Sequence, residues 1–118
     1  LEKKMSLLGL GQIATISGRY HAMDRDKNWD RTKQYYDLIV SGNGNRCNNS
    51  VTCLQNSYAN DITDEFIEPT LINTEGCIQP KDSVLFMNFR PDRARQISFA
   101  LENNDFHHVL RLPLLPVE

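Results

Sequence analysis

A chain of 118 residues, 40% hydrophobic and 24% charged, suits one soluble globular domain. Its formal net charge of -2 sets up no basic field for nucleic acid or anionic lipid, and no apolar run approaches the ~20 residues of a membrane span. Cys47, Cys53 and Cys77 are too few and too unevenly spaced for a disulfide framework or a paired-thiol zinc site, and read as reduced thiols of a cytoplasmic protein.

The chain opens on a helical pattern: Leu1, Met5 and Leu8 share one face, closed by Gly9 and Gly11. Residues 1–5 do not read as a signal peptide. Residues 12–17 (QIATIS) are short and β-branched, and Gly18 ends them, which predicts a buried strand. A loop follows over 19–27. Asn28 can cap a helix whose apolar side takes Trp29, Tyr36, Ile39 and Val40, and which ends at the Gly-rich 41–44. Residues 43–49, polar and rich in Gly and Asn, predict a surface loop. Val51, Leu54 and Tyr58 recur at helical spacing and predict a short helix over 50–58. Residues 66–72 predict an extended segment, with Pro69 arguing for an edge strand. A turn at 79–82 leads into 83–89 (SVLFMNF), a continuous buried-strand pattern. Pro91 then starts a helix through Asn103 with Ala94, Ile97, Ser98 and Leu101 on one face. Strand, loop and helix thus occur twice, which predicts an α/β fold: a layered sheet with flanking helices.

Both strand–loop–helix junctions carry arginine. The first, GRYHAMDRDKNWDR at 18–31, alternates arginine and aspartate behind the apolar 13–16. The second reads NFRPDRAR at 88–95. Pro91 suits the first helical turn because its missing N–H would be unpaired there, and the free N–H groups and positive dipole end of that turn favour an anion. Arg90 and Arg93 flank the helix start, whereas Arg95 points to solvent. Ligands of open α/β sheets sit beyond the carboxyl ends of the strands, where both stations fall. Arginine grips planar carboxylates and phosphates bidentately, with about 1.5–3 kcal/mol per charge-assisted contact when water is excluded. Asp24, Asp26 and Asp92 can orient the guanidiniums.

From spacing alone the same residues also fit solvated helix ends and surface ion pairs, worth ~0–1 kcal/mol each. An arginine-rich anion-binding module without catalysis, or a remnant of one, is the alternative they leave open. His21 reads as a loop residue that could hydrogen-bond a ligand, and His107-His108 as surface histidines without metal-ligand spacing. Asp64-Glu65 reads as a helix-to-strand turn rather than an acid/base pair. Trp29 reads as core, and Asp30 and Arg31 as solvent-facing.

Residues 14–31 (ATISGRYHAMDRDKNWDR) and 86–98 (FMNFRPDRARQIS), with DEFIEP (64–69) between them, resemble the cofactor-independent (2,3-bisphosphoglycerate-independent) phosphoglycerate mutase family over essentially the whole chain. The resemblance implies a two-domain, alkaline-phosphatase-like enzyme. One domain holds a serine nucleophile and two metal ions, usually Mn2+; an inserted α/β phosphotransferase or substrate domain holds the glycerate, and residues 1–118 are part of the latter. It implies that 3-phosphoglycerate gives its phosphoryl group to that serine, and that the retained glycerate reorients and takes it back as 2-phosphoglycerate, with no 2,3-bisphosphoglycerate required. By motif, Arg19, Arg25, Arg90 and Arg93, with Pro91 and Asp92, are substrate-binding. No catalytic residue or metal ligand matches within the segment, which alone is expected to be inactive. The resemblance further implies a cytoplasmic, glycolytic isomerase, monomeric at full length, with a small-molecule substrate and no nucleic-acid or membrane partner. The family commonly has Tyr where His21 stands and an aromatic where Met87 stands. The start at Leu1 and the apolar 110–117 predict a piece of a longer chain.

Overall fold

Gly42 explains how the longest helix ends. Its φ of +68° is left-handed, and the amides of Gly42 and Asn43 turn back onto the carbonyls of Leu38 and Asp37. That helix, α3 (Trp29–Ser41), lies at the centre of the computed structural model, which describes residues 1–103. Before it come α1 (Glu2–Leu8), strand β1 (Thr15–Ile16) and the four-residue helix α2 (Arg19–Ala22). After it come strand β2 (Asn45–Arg46), α4 (Ser50–Ala59), a 3-10 turn at Asp64–Phe66, strand β3 (Thr70–Leu71), a second such turn at Thr74–Gly76 and α5 (Pro91–Glu102).

The sheet is small and mixed, in the order β1-β3-β2. Thr15 faces Leu71 and Ile16 faces Thr70 in antiparallel register, while Asn45 and Arg46 run parallel beside Thr70 and Leu71. Helix α3 packs on both sides. Leu38, fully buried, meets Leu71 and Cys77 toward the sheet, and Trp29, Tyr36 and Ile39 close over Ile97 and Ala100 of α5. Tyr35 touches both clusters. Burial of a leucine to this degree stabilises by about 1.5–3 kcal/mol. No helix among the described residues is long and apolar enough to cross a membrane.

An α/β fold was expected and is found, but several elements differ. The strand at 12–17 shrinks to Thr15–Ile16 and is half-buried. The loop at 19–27 begins as helix α2. The surface loop at 43–49 contains β2, whose exposed Asn45 and Arg46 join the sheet through backbone bonds. On α4 the inward side is Ser50 and Cys53, while Val51 and Tyr58 are exposed. The segment around Pro69 is not an edge: β3 is the central strand. Proline is tolerated there because its own contribution is an acceptor, the Pro69 carbonyl taking the amide of Asn45 at 3.0 Å.

The largest difference is at 83–89, which forms no strand. Leu85, Met87 and Phe89 are 82%, 88% and 101% exposed, and only Phe86 turns inward against the Ile97 cluster. No strand among the described residues pairs with this segment, so apart from Phe86 its large apolar side chains are left exposed. The second junction is therefore an extended approach to α5 rather than a strand end. His107-His108 and the apolar 110–117 lie outside the described residues.

Candidate anion-binding site

The first station hangs on Gly18. Its amide donates to the Ile67 carbonyl at 2.7 Å, and a Cβ there would stand 2.2 Å from the Glu65 carbonyl oxygen. Only glycine lets the end of β1 lie this close to the 64–66 turn. The closeness brings Glu65 to Arg19, whose Nη2 donates to Glu65 Oε2 at 2.7 Å. Both side chains remain partly open to solvent.

The second station starts at the N-terminus of α5. Pro91 fills the first turn, Asp92 lies in that turn at the positive end of the helix dipole, and the Asn88 side chain ties the preceding backbone by donating to the Arg90 carbonyl at 2.7 Å. Arg90 grips Asp92 with Nε on Oδ1 at 3.2 Å and Nη2 on Oδ2 at 2.9 Å. Arg25, 67 positions from Asp92, donates from Nη1 to the same Oδ2 at 3.0 Å. The bonds from Arg90 and Arg25, with their charges, hold the Asp92 carboxyl down to about 2. Reciprocally, the bond to Asp92 raises Arg25 above the ordinary guanidinium value. Arg25 and Arg90 share the one carboxylate of Asp92, and the charge of Asp26 acts on Arg25 as well. Each guanidinium carries five N–H donors, so both keep donors free for a ligand. Asp92 itself is a fixed example of the carboxylate geometry the pair accepts.

Arg93 joins the stations in another way: its Nη1 donates to the Met23 carbonyl at 2.9 Å. Beneath lies a buried polar group. Asp24 Oδ2 accepts the amides of Asp26 (3.2 Å) and Asn28 (2.9 Å) and the Gln96 Nε2 (2.9 Å), while Oδ1 accepts the Asn28 Nδ2 (2.9 Å). Burial pushes the Asp24 carboxyl up, but these bonds outweigh it and the net shift is downward.

The structure thus brings Arg25, Arg90, Asp92 and Pro91 together, sets Arg93 against the loop backbone, and leaves Arg19 paired with Glu65. Arg19 shares no hydrogen-bond partner with the Asp92 group among the described residues. Of the three expected orienting aspartates, Asp92 holds arginines directly. Asp24 instead holds the loop, with Arg31 beside it at 3.6 Å, and Asp26 acts on Arg25 only through its charge. Arg31 is not solvent-facing: its guanidinium also lies 3.8 Å over the Tyr20 ring. Arg95 is exposed, as expected, and Trp29 packs in the core against Phe99. His21 faces a separate cleft of about 330 Å³ with Gln34, Asp37, Asn45 and Glu68. Burial holds its imidazole below the ordinary value, against the pull of Glu68. Glu65, read as a turn residue, is both a turn residue and an arginine partner. Gln96 and Thr32 were not singled out, although Thr32 lies three residues after Trp29 and four before Tyr36, on the apolar face where a polar residue must find partners. No three His, Cys, Asp or Glu side chains among the described residues group to hold a metal ion.

Residues 1–116 match the family model for the BPG-independent PGAM N-terminus. The chain is 49% identical over 116 residues to the 2,3-bisphosphoglycerate-independent phosphoglycerate mutase of Synechococcus sp., covering 98% of this chain and 22% of that relative. It is 48% identical over 110 residues to the mutase of the same name from Clostridium tetani, covering 90% and 21%. A crystal structure of Leishmania mexicana phosphoglycerate mutase at low cobalt concentration superposes with a TM-score of 0.77 at 26% identity, over 94% of this chain and 22% of that one. The chain therefore spans about a fifth of the length of the relatives it matches. With nearly its whole length matched and its arginine motifs meeting in space, the chain belongs to the BPG-independent PGAM N-terminus family.

Proposed function

We propose that residues 1–118 are part of the substrate domain of a two-domain, alkaline-phosphatase-like 2,3-bisphosphoglycerate-independent phosphoglycerate mutase. In this reading Arg19, Arg25, Arg90 and Arg93, with Pro91 and Asp92, bind the phosphate and carboxylate of 3-phosphoglycerate and 2-phosphoglycerate. One observation carries it: Arg25 and Arg90, from separate motifs, converge on the single carboxylate of Asp92. A phosphoglycerate carries about three negative charges, and phosphoryl transfer asks a protein chiefly for positioning and charge neutralisation. The guanidinium donors of Arg25 and Arg90 that Asp92 does not occupy would supply both, and would keep glycerate in place between removal and return of the phosphoryl group.

The serine and the two Mn2+ ions implied by the resemblance belong, in this reading, to sequence outside residues 1–118. The described residues bring no three His, Cys, Asp or Glu side chains together to hold a metal ion. The exposed row of Leu85, Met87 and Phe89 favours a segment covered by the remainder of a larger enzyme, and the segment alone would be inactive. The whole enzyme would be a cytoplasmic, monomeric glycolytic isomerase without nucleic-acid or membrane partners.

The test is 3-phosphoglycerate turnover, without added 2,3-bisphosphoglycerate, by the full-length polypeptide carrying this segment. The double variant Arg25→Ala/Arg90→Ala should lose at least ~10²-fold in kcat/KM, the scale for removing a charge-stabilising donor. A double variant near wild type would refute the assignment. A full-length polypeptide that binds 3-phosphoglycerate without converting it would replace the mutase with an anion-binding module.

A further inference from the structure

Asp24, Thr32 and Gln96 are 6%, 2% and 7% exposed, an unusual depth for an aspartate and a glutamine. Gln96 stands on α5 one turn beyond Asp92 and makes three hydrogen bonds. Its Oε1 accepts the Lys27 amide at 2.8 Å, and its Nε2 donates to Asp24 Oδ2 and to Thr32 Oγ1, each at 2.9 Å. The partners fix which way the amide faces, because a flipped amide would set its NH2 against an N–H and its oxygen against a carboxylate.

Lys27 is one of the few non-glycine residues with left-handed backbone, at φ +62°. Such a conformation persists only where the surroundings hold it. Here the surroundings are Gln96 on the Lys27 amide and Asp24 on the amides of Asp26 and Asn28. Asp26, Lys27 and Asn28, which follow Arg25, are thus bonded either to Gln96 or to the carboxylate that Gln96 holds. Because α5 also carries Asp92 and starts directly after Arg90, Gln96 links the backbone that aims Arg25 to the helix it must meet.

We propose that Gln96 is a positioning residue for the substrate-binding arginines: it locks the left-handed turn at Lys27 onto helix α5 and thereby fixes Arg25 against Arg90 and Asp92. The inference rests on the reading that these arginines bind phosphoglycerate. An isosteric apolar residue loses all three bonds, and glutamate would set a second carboxylate against Asp24, so the role requires an amide of this length.

The experiment is a double-mutant cycle in the full-length enzyme, read as kcat and KM for 3-phosphoglycerate. Gln96→Met should lower kcat/KM about 10²-fold, the effect of misplacing a binding group by about 1 Å. Gln96→Asn, which keeps the amide but withdraws it by one methylene, should lower it about tenfold. The loss should fall mainly on KM. In an Arg25→Ala background both substitutions should change kcat/KM by less than about threefold, because a residue that acts through Arg25 has nothing left to position. Losses that persist at full size in that background, or wild-type kcat/KM in both single variants, would overturn the proposal. Gln96→Asn decides the matter where Gln96→Met does not fold. An Arg25→Ala enzyme with unchanged kcat/KM would instead remove the functional reading beneath it, and the inference with it.

Discussion

Replacing Gly18 with alanine sets two effects of opposite sign against each other. The backbone at Gly18 is ordinary extended chain, φ −70° and ψ 158°, which alanine adopts freely. On that ground alone Gly18→Ala would stabilise by about 0.4–1 kcal/mol, because it restricts the unfolded chain. Packing runs the other way. The new Cβ would stand 2.2 Å from the Glu65 carbonyl oxygen, 2.6 Å from its carbon and 2.7 Å from the Asp64 oxygen. Non-bonded carbon prefers roughly 3.5–4 Å, so the 64–66 turn must withdraw by more than about 1 Å. The obstacle is main chain, which has no rotamer to change. Overpacking of this kind costs about 1–3 kcal/mol, and here the Gly18–Ile67 bond and the Arg19–Glu65 pair are strained along with it. A net loss near 2 kcal/mol should lower the urea midpoint by about 1 M at a typical m-value of ~2 kcal/mol/M. Equilibrium unfolding of wild type and variant in the same polypeptide measures it directly. A midpoint equal to or above wild type, with m unchanged, would show that the approach of residue 18 to the turn is not the constraint described.

Asp92→Asn should lower kcat/KM about tenfold or more, by removing the carboxylate on which Arg25 and Arg90 agree. The same carboxyl has a signature in acid. It is held at about 2 in the folded protein against about 3.9 unfolded, so its ion pairs stabilise fully above the unfolded value and are lost as pH falls toward the folded one. Urea midpoints followed from pH 5 to 2 should therefore fall more steeply in wild type than in Asp92→Asn; parallel curves would deny Asp92 this role. Leu38→Ala, at a fully buried site between Leu71 and Cys77, should destabilise by about 2–5 kcal/mol in denaturant melts.

The two long helices were legible because their signals are local. Asn28 and Gly42 bracket α3, Pro91 opens α5, and helical spacing marked Trp29, Tyr36, Ile39 and Ile97. Of the sheet, β1 and β3 fall within the spans 12–17 and 66–72 expected to be extended, but their short extent, the central place of β3 and the whole of β2 were not legible, because strands of two residues carry no period. Asn45 and Arg46 pair through backbone atoms, to which side-chain pattern is blind. At 83–89 the pattern reported what a sheet could bury, while the partner that would make it a strand is missing from the described residues. In the site, Arg25, Arg90 and Asp92 could be named from their motifs, but that Arg25 and Arg90 share Asp92 is a fact of three dimensions. Glu65 was set aside because Asp64-Glu65 made sense as a turn, and a turn does not stop a carboxylate from pairing. Thr32 did leave a trace, a hydroxyl on the face of α3 otherwise occupied by Trp29 and Tyr36.

The strand order has a consequence for the order of events during synthesis. Among the described residues, β1 and β2 each pair with β3 and not with each other; β3 lies between them and follows both in sequence. On a ribosome both strands therefore wait for the partner they have in this sheet until Thr70 and Leu71 appear. A similar wait applies to Leu38, whose neighbours are Leu71 and Cys77, and to Arg19, whose partner is Glu65. Closing such distant contacts is slow relative to forming helices, so α3 can wind early but has no sheet to rest on. Arg19 and Arg25 of the first arginine station are thus translated well before Glu65 and Asp92, the residues that hold them in the folded chain.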